Sequence, residues 1–148
     1  MTNQPTIRAR RSGFTLLEML VVLVIIGLLA GLVGPRLFSK VDESKVQTAN
    51  AQIEMIRGAL KTMRLDTGRF PTESEGLSYV YSKPEDPDLR EKWSGPYLDE
   101  PVPDDPWGNA YQYSRPGPEG QPFALYSLGA DGERGGEGVN QDIGFTPP

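Results

Sequence analysis

The hydrophobic pattern changes character along the chain. Phe14 to Val33 is an almost unbroken apolar run of 20 residues in which Glu18 is the one charge. At about 1.5 Å per residue such a helix spans about 30 Å, the thickness of a bilayer's hydrocarbon core. A membrane-spanning helix is therefore predicted over residues 14–34. Beyond Gly34-Pro35 the pattern turns amphipathic. Val46, Ala49, Ile53, Ile56, Leu60 and Met63 recur at intervals of three and four, with Lys45, Gln47, Asn50, Gln52, Glu54, Arg57, Lys61 and Arg64 between them. That is one apolar stripe of a helix over residues 35–68, continuous with the first and ended by Gly68 as a left-handed C-cap. Pro35 removes one N–H and crowds the carbonyl of Gly31. A kink, a melted turn or the plain end of the membrane span would each accommodate it.

After residue 68 the periodicity shortens. Thr72 and Glu75 have capping-box spacing and open a short helix through Val80. Residues 83–106, rich in proline and acid, read as an irregular loop with Trp93 and Tyr97 as packing anchors. Ala110–Ser114 and Pro122–Leu128 alternate apolar and polar on either side of Arg115–Gly120, the pattern of a hairpin. Residues 69–148 are thus expected to form an α+β head, a small antiparallel sheet packed on the amphipathic helix.

Composition narrows the chemistry. Cysteine and histidine are both absent, which removes disulfides, thiolate metal sites and the commonest general base. Residues 1–13 carry Arg8, Arg10 and Arg11 and no acid; the rest of the chain brings the net charge to −5. An acidic body argues against a nucleic-acid partner, because phosphate binding needs a basic face. The arginines before the apolar run put the N-terminus in the cytoplasm and the head outside. A secretory signal peptide and a plain signal anchor compete with this reading. The apolar run is longer than a signal peptide's, and no small-x-small cleavage site follows it cleanly. A plain anchor leaves Glu18 without a role, although carboxylates inside membranes are expensive and usually paired.

The stretch Arg11-Ser-Gly-Phe-Thr-Leu-Leu-Glu18 resembles the leader junction of type IV pilins and type II secretion pseudopilins. The resemblance implies that residues 1–13 are a leader, cut after Gly13 by a prepilin peptidase that also N-methylates Phe14. It implies that Glu18 is the acid at the fifth mature position. An α-ammonium on Phe14 of a neighbouring subunit, offset along the axis, would then pair with Glu18 and fix the register of assembly. It also implies that Pro35 lies where the helix can extend inside a filament.

The C-terminal stretch Ser127–Gly144 carries five glycines between Gly129 and Gly138, bracketed by Asp131 and Asp142, with Glu133, Glu137 and Asn140 between. Glycines permit tight turns that aim carbonyls at one point, and calcium takes six to eight oxygens. The order does not match an EF-hand, and from the residues alone an acidic surface loop is the favoured reading. Phe70-Pro-Thr with Glu75-Gly-Leu, Asp105-Pro-Trp-Gly-Asn, Ser127-Leu-Gly-Ala-Asp-Gly and Asp142-Ile-Gly together resemble the major pseudopilins of type II secretion. That resemblance implies Ca2+ bound by Asp131, Asp142 and the Leu128 carbonyl. It implies a non-enzymatic inner-membrane subunit, head in the periplasm, that forms a homopolymer with minor pseudopilins on a secretion platform. The filament would drive export of folded proteins across the outer membrane. A type IV pilin of a surface fibre is the nearest alternative, disfavoured by the absence of cysteine. A membrane-anchored periplasmic calcium-binding protein is the other.

Overall fold

A computed structural model describes residues 13–147, and of residues 35–38 it describes the backbone alone. Residues 1–12, the greater part of the expected leader 1–13, lie outside the described residues. The chain divides into two compact units, one ending at Ser39 and the other beginning at Lys40.

Helix α1 runs Leu16–Thr67, 52 residues. It has the predicted extent, and its helical backbone continues through Gly34-Pro35, so there is no melted turn at that point. In the first unit every side chain from Gly13 to Val33 is exposed, and an 18-residue window of the helix has a mean hydropathy of 2.9. This is the one helix among the described residues long and apolar enough to cross a membrane.

In the second unit the same helix buries its stripe. Ala49, Ile53, Ile56, Leu60 and Met63 are buried, and Val46 packs against the cluster from its edge. Burying each large side chain stabilises the fold by about 1.5–3 kcal/mol. Gly68, at φ 81°, ends the helix, and its N–H bonds the Arg64 carbonyl at 2.8 Å.

Three strands receive the stripe: β1 Gln112–Ser114, β2 Ala124–Ser127 and β3 Ile143–Phe145. They are antiparallel in the order β1-β2-β3, with Tyr113 opposite Leu125 and Tyr126 opposite Gly144. The hairpin is the predicted one. The third strand is an addition: Ile143-Gly144-Phe145 is too short, and too interrupted by glycine, to show a period of two. All of β2 is buried, as befits the central strand. Phe70, Phe123 and Tyr113 close the core by ring contacts.

Residues 83–106 depart from the expected loop. They contain α2, Pro87–Lys92. Asp86 caps it, accepting from the N–H groups of Asp88 and Leu89, and Pro87 takes the first turn, where its missing N–H costs nothing. The anchors Trp93 and Tyr97 behave as predicted. Their rings meet edge to face, the Trp93 indole donates to the Tyr79 carbonyl, and the Tyr97 hydroxyl donates to Asp66. The segment after Thr72 is a turn followed by a 3₁₀ helix at Ser78–Val80, shorter than the predicted helix.

Candidate functional site

Two regions carry the residues singled out from the sequence. The first is the start of α1. Gly13 and Phe14 are exposed. A Cβ added at Gly13 would meet nothing within 4 Å, so nothing among the described residues requires glycine there. Glu18 has a partner that the sequence reading overlooked. Its carboxylate accepts the Thr15 N–H at 3.4 Å, and its own N–H donates to Thr15 Oγ1 at 3.2 Å. That is a capping box, with an acid suited to the positive end of the helix dipole. The signal was present: Thr-x-x-Glu is the spacing recognised at Thr72 and Glu75. The box leaves the charge unanswered, because Glu18 forms no ion pair among the described residues.

The second region is the glycine-rich loop. Its base is a buried carboxylate. Asp105 Oδ1 accepts the N–H groups of Trp107 at 3.0 Å and Asn109 at 2.9 Å, and Oδ2 accepts the Ser127 hydroxyl. Ser127 Oγ in turn accepts the Gly129 N–H at 3.1 Å, and the Asn109 amide donates to the Gly129 carbonyl at 3.3 Å. Leu128, half-buried, is therefore held between two anchored neighbours. Gly129 sits at φ 69°, and a Cβ there would press on the Gln141 carbonyl oxygen at 2.8 Å, so the crossing of the two loop arms requires glycine. The Ala130 N–H bonds the Val139 carbonyl, which ties the arms together above it.

Within the loop the two aspartates hold separate turns. Asp131 Oδ1 accepts the Glu133 N–H at 3.1 Å. Asp142 Oδ2 accepts the Gly135 N–H at 3.1 Å, while the Asp142 N–H returns to the Gly135 carbonyl at 3.2 Å. Asp142 Oδ1 is buried with no hydrogen-bond partner, alone in this among the described side chains. A buried carboxylate oxygen without a donor is costly, and a cation removes the cost. No group of three or more Asp, Glu, His or Cys side chains gathers to hold a metal among the described residues. Any ion here would depend on two carboxylates supplemented by backbone carbonyls, a donor set that suits calcium. The Asp105–Ser127 link beneath the loop went unread in the sequence, because 22 residues separate its ends.

Comparison with known proteins places the chain. Residues 36–146 match the family described as "Type II secretion system (T2SS), protein G", and residues 8–34 match the "Prokaryotic N-terminal methylation motif". The type II secretion system core protein G of Pseudomonas aeruginosa is 44% identical over 137 residues, covering 93% of this chain and 96% of that protein. Its namesake in Vibrio cholerae is 42% identical over 135 residues, covering 91% of each. Among solved structures, the major pseudopilin from the type 2 secretion system of enterohaemorrhagic Escherichia coli superposes with a TM-score of 0.59 at 31% identity. The match covers 74% of this chain and 93% of that one. The long helix, the three-stranded sheet and these matches agree: the chain belongs to the protein G family of the type II secretion system.

Proposed function

We propose that the chain is the membrane-anchored subunit of a pseudopilus whose head is completed by one calcium ion. Membership of the protein G family makes it a structural subunit of the secretion system rather than an enzyme. The finer reading has three parts. The leader is cut after Gly13 and Phe14 is methylated, in keeping with the methylation motif over residues 8–34. The apolar half of α1 crosses the inner membrane with the head in the periplasm, and copies polymerise there with minor pseudopilins on the secretion platform. Asp131, Asp142 and the Leu128 carbonyl bind Ca2+.

The observation that carries the calcium assignment is the unpartnered, buried Asp142 Oδ1. When bound, the ion would neutralise the two carboxylates and order the glycine-rich arms. Binding to the folded state alone adds about 2.7 kcal/mol at a hundredfold excess over Kd. The chain should therefore melt higher in calcium than in chelator. Magnesium should substitute poorly, because it demands tight octahedral geometry. Asp131→Ala and Asp142→Ala should each abolish the difference. Identical melting and identical protease cutting of the loop in calcium and in chelator would leave an ordinary acidic loop.

A further inference from the structure

The glycine-rich loop holds a second kind of chemistry, a reaction of the chain with itself. Asp131 is the one aspartate followed directly by glycine. An aspartyl carboxyl and the next peptide nitrogen are held close enough to close a five-membered imide. A side chain on the following residue obstructs that approach, and glycine has none. A Cβ at Gly132 would meet nothing nearer than the Asn109 amide, 3.6 Å away, so the surrounding fold leaves the approach open as well.

The local structure prepares the reaction. Asp131 is exposed, so water reaches its carboxyl. Asp131 Oδ1 accepts the Glu133 N–H at 3.1 Å. The ring this bond closes encloses the Gly132 peptide, so the carboxyl is folded forward along the chain. The same N–H points at an oxygen that gains negative charge when a nitrogen adds to Cγ, and donors so placed stabilise the intermediates of acyl transfer. The Gly132 N–H makes no hydrogen bond among the described residues, so none is lost when its nitrogen attacks. Gly132 stands at φ 69°, and its freedom lets the peptide rotate toward Cγ at small cost. Asp142 is the contrast. Its Oδ2 bonds the Gly135 N–H across the loop, and the residue after it is β-branched Ile143, held in β3 opposite Ser127.

We propose that Asp131 is a site of spontaneous isomerisation to isoaspartate while the loop holds no ion, and that a bound cation protects it. The Gly132 nitrogen adds to Asp131 Cγ and the N–Cγ bond forms. A Cγ–O bond breaks and water leaves, its protons drawn from the nitrogen and from solvent. Water then opens the imide. Addition at the main-chain carbonyl carbon of Asp131 breaks that carbon's bond to nitrogen. The chain now runs through Cβ and Cγ, the carboxylate sits on Cα, and the solvent proton is returned. No oxidant takes part, and the mass is unchanged. The main chain is longer by one carbon beside the Ala130–Val139 tie, and the carboxylate no longer stands where that of aspartate stood. A cation on Asp131 opposes the first step by occupying the carboxylate and fixing the peptide. That protective half rests on the calcium reading.

Peptide mapping of the full-length chain tests it. Folded wild-type protein is held for days in chelator or in calcium and then digested. Isoaspartate at position 131 shows as a second chromatographic peak of unchanged mass that an aspartate-specific protease does not cut. Formed in heavy-oxygen water, it carries one heavy oxygen. In chelator this product should exceed that at Asp142, or at any other aspartate, by about tenfold or more, and calcium should lower it by about tenfold. Asp131→Glu keeps the carboxylate but enlarges the ring, and should form none. Equal, low levels at every aspartate in chelator, from protein that still melts as a folded chain, overturn the proposal. Melting separates the two remaining outcomes. If calcium raises the melting temperature and the product forms just as fast, the protective half is wrong. If neither responds to calcium, the calcium reading falls and the isomerisation site stands.

Discussion

Thr15-Leu16-Leu17-Glu18 and Thr72-Glu73-Ser74-Glu75 close the same reciprocal box in two different units of the chain. In both, the threonine hydroxyl accepts the glutamate N–H, at 3.2 and 3.3 Å, and the carboxylate reaches back to the threonine N–H, at 3.4 and 2.7 Å. What differs is the third group. Arg69 grips Glu75 with two bonds of 2.7 Å, and Glu75 is largely shielded. Glu18 has no cation among the described residues and stands on an exposed apolar helix. An identical local motif therefore leaves one charge paired within the fold and the other with no cation among the described residues. A cap can explain a glutamate in the first turn of a helix. It does not explain a carboxylate with no cation among the described residues on so apolar a helix, since inside a membrane pairing would be the rule.

The largest expected effect separates the two acids by assembly. Glu18→Gln keeps the hydrogen-bond acceptor of the box and removes the charge. If the Phe14 amine of a neighbour is its partner, filament yield should fall by an order of magnitude or more, since breaking a desolvated pair costs about 3–5 kcal/mol. Glu75→Gln should leave the yield unchanged once the protein is folded. Mass spectrometry of the Glu18→Gln chain should still find a methylated Phe14 terminus, which isolates assembly from processing. Wild-type yield from Glu18→Gln would reduce that acid to a helix cap and nothing more.

The middle effect runs the other way and concerns the stability of the head. Hydrogen bonding to Arg69 lowers the Glu75 carboxyl from 4.5 to about 2. A carboxyl held below its unfolded value stabilises the fold only while it is ionised there. The contribution is complete above about pH 4.5 and disappears as pH falls toward 2. Discounted for residual solvent screening, it is about 1–2 kcal/mol. Thermal melts of wild type and Glu75→Gln should differ by that amount at pH 6 and converge by pH 2. A constant gap across the range would mean that Arg69 contributes packing and no charge.

The comparison also shows which parts of the structure a sequence reader can reach. Elements written as a repeating local pattern were legible: the 3-4-3-4 stripe from Val46 to Met63, the Gly68 cap, the hairpin, and the Thr72 box. The methylation motif over residues 8–34 was legible because it is a linear string that needs no fold to be recognised. Contacts whose ends lie far apart were not. Asp105 looked like one more surface acid in a proline-rich stretch, yet it is buried and fixes the base of the loop through Ser127. Asp131 and Asp142 stand in the glycine-rich loop, and the unpartnered oxygen of Asp142 depends on how the arms fold over it. α2 was hidden because six residues with a proline at the first position show no amphipathic period. The Thr15 box is masked for a different reason: its Thr-x-x-Glu spacing lies at the head of an apolar run whose hydropathy dominates the local pattern.

The smallest effect tests whether the two boxes are as independent as their units. Replacing an N-cap threonine by alanine costs about 0.5–2 kcal/mol. At Thr72 the cost should lie at the low end, about 0.5 kcal/mol, because Arg69 still holds the Glu75 carboxylate when the hydroxyl is gone. The Glu75 N–H loses its acceptor at Thr72 Oγ1, and its amide should exchange faster with solvent. At Thr15 the same substitution frees the Glu18 N–H, and the first turn of α1 should fray. The second unit, which begins at Lys40 and contains the head, should not register the change: Thr15→Ala should melt with wild type while the Glu18 amide exchanges faster. A Thr15→Ala chain whose head melts as low as that of Thr72→Ala would show that the first turn of α1 supports the head through the intervening helix. The contrast between a charge satisfied inside the fold and one left for a neighbour would then have to be redrawn, because Glu18 would be contributing to the stability of its own chain.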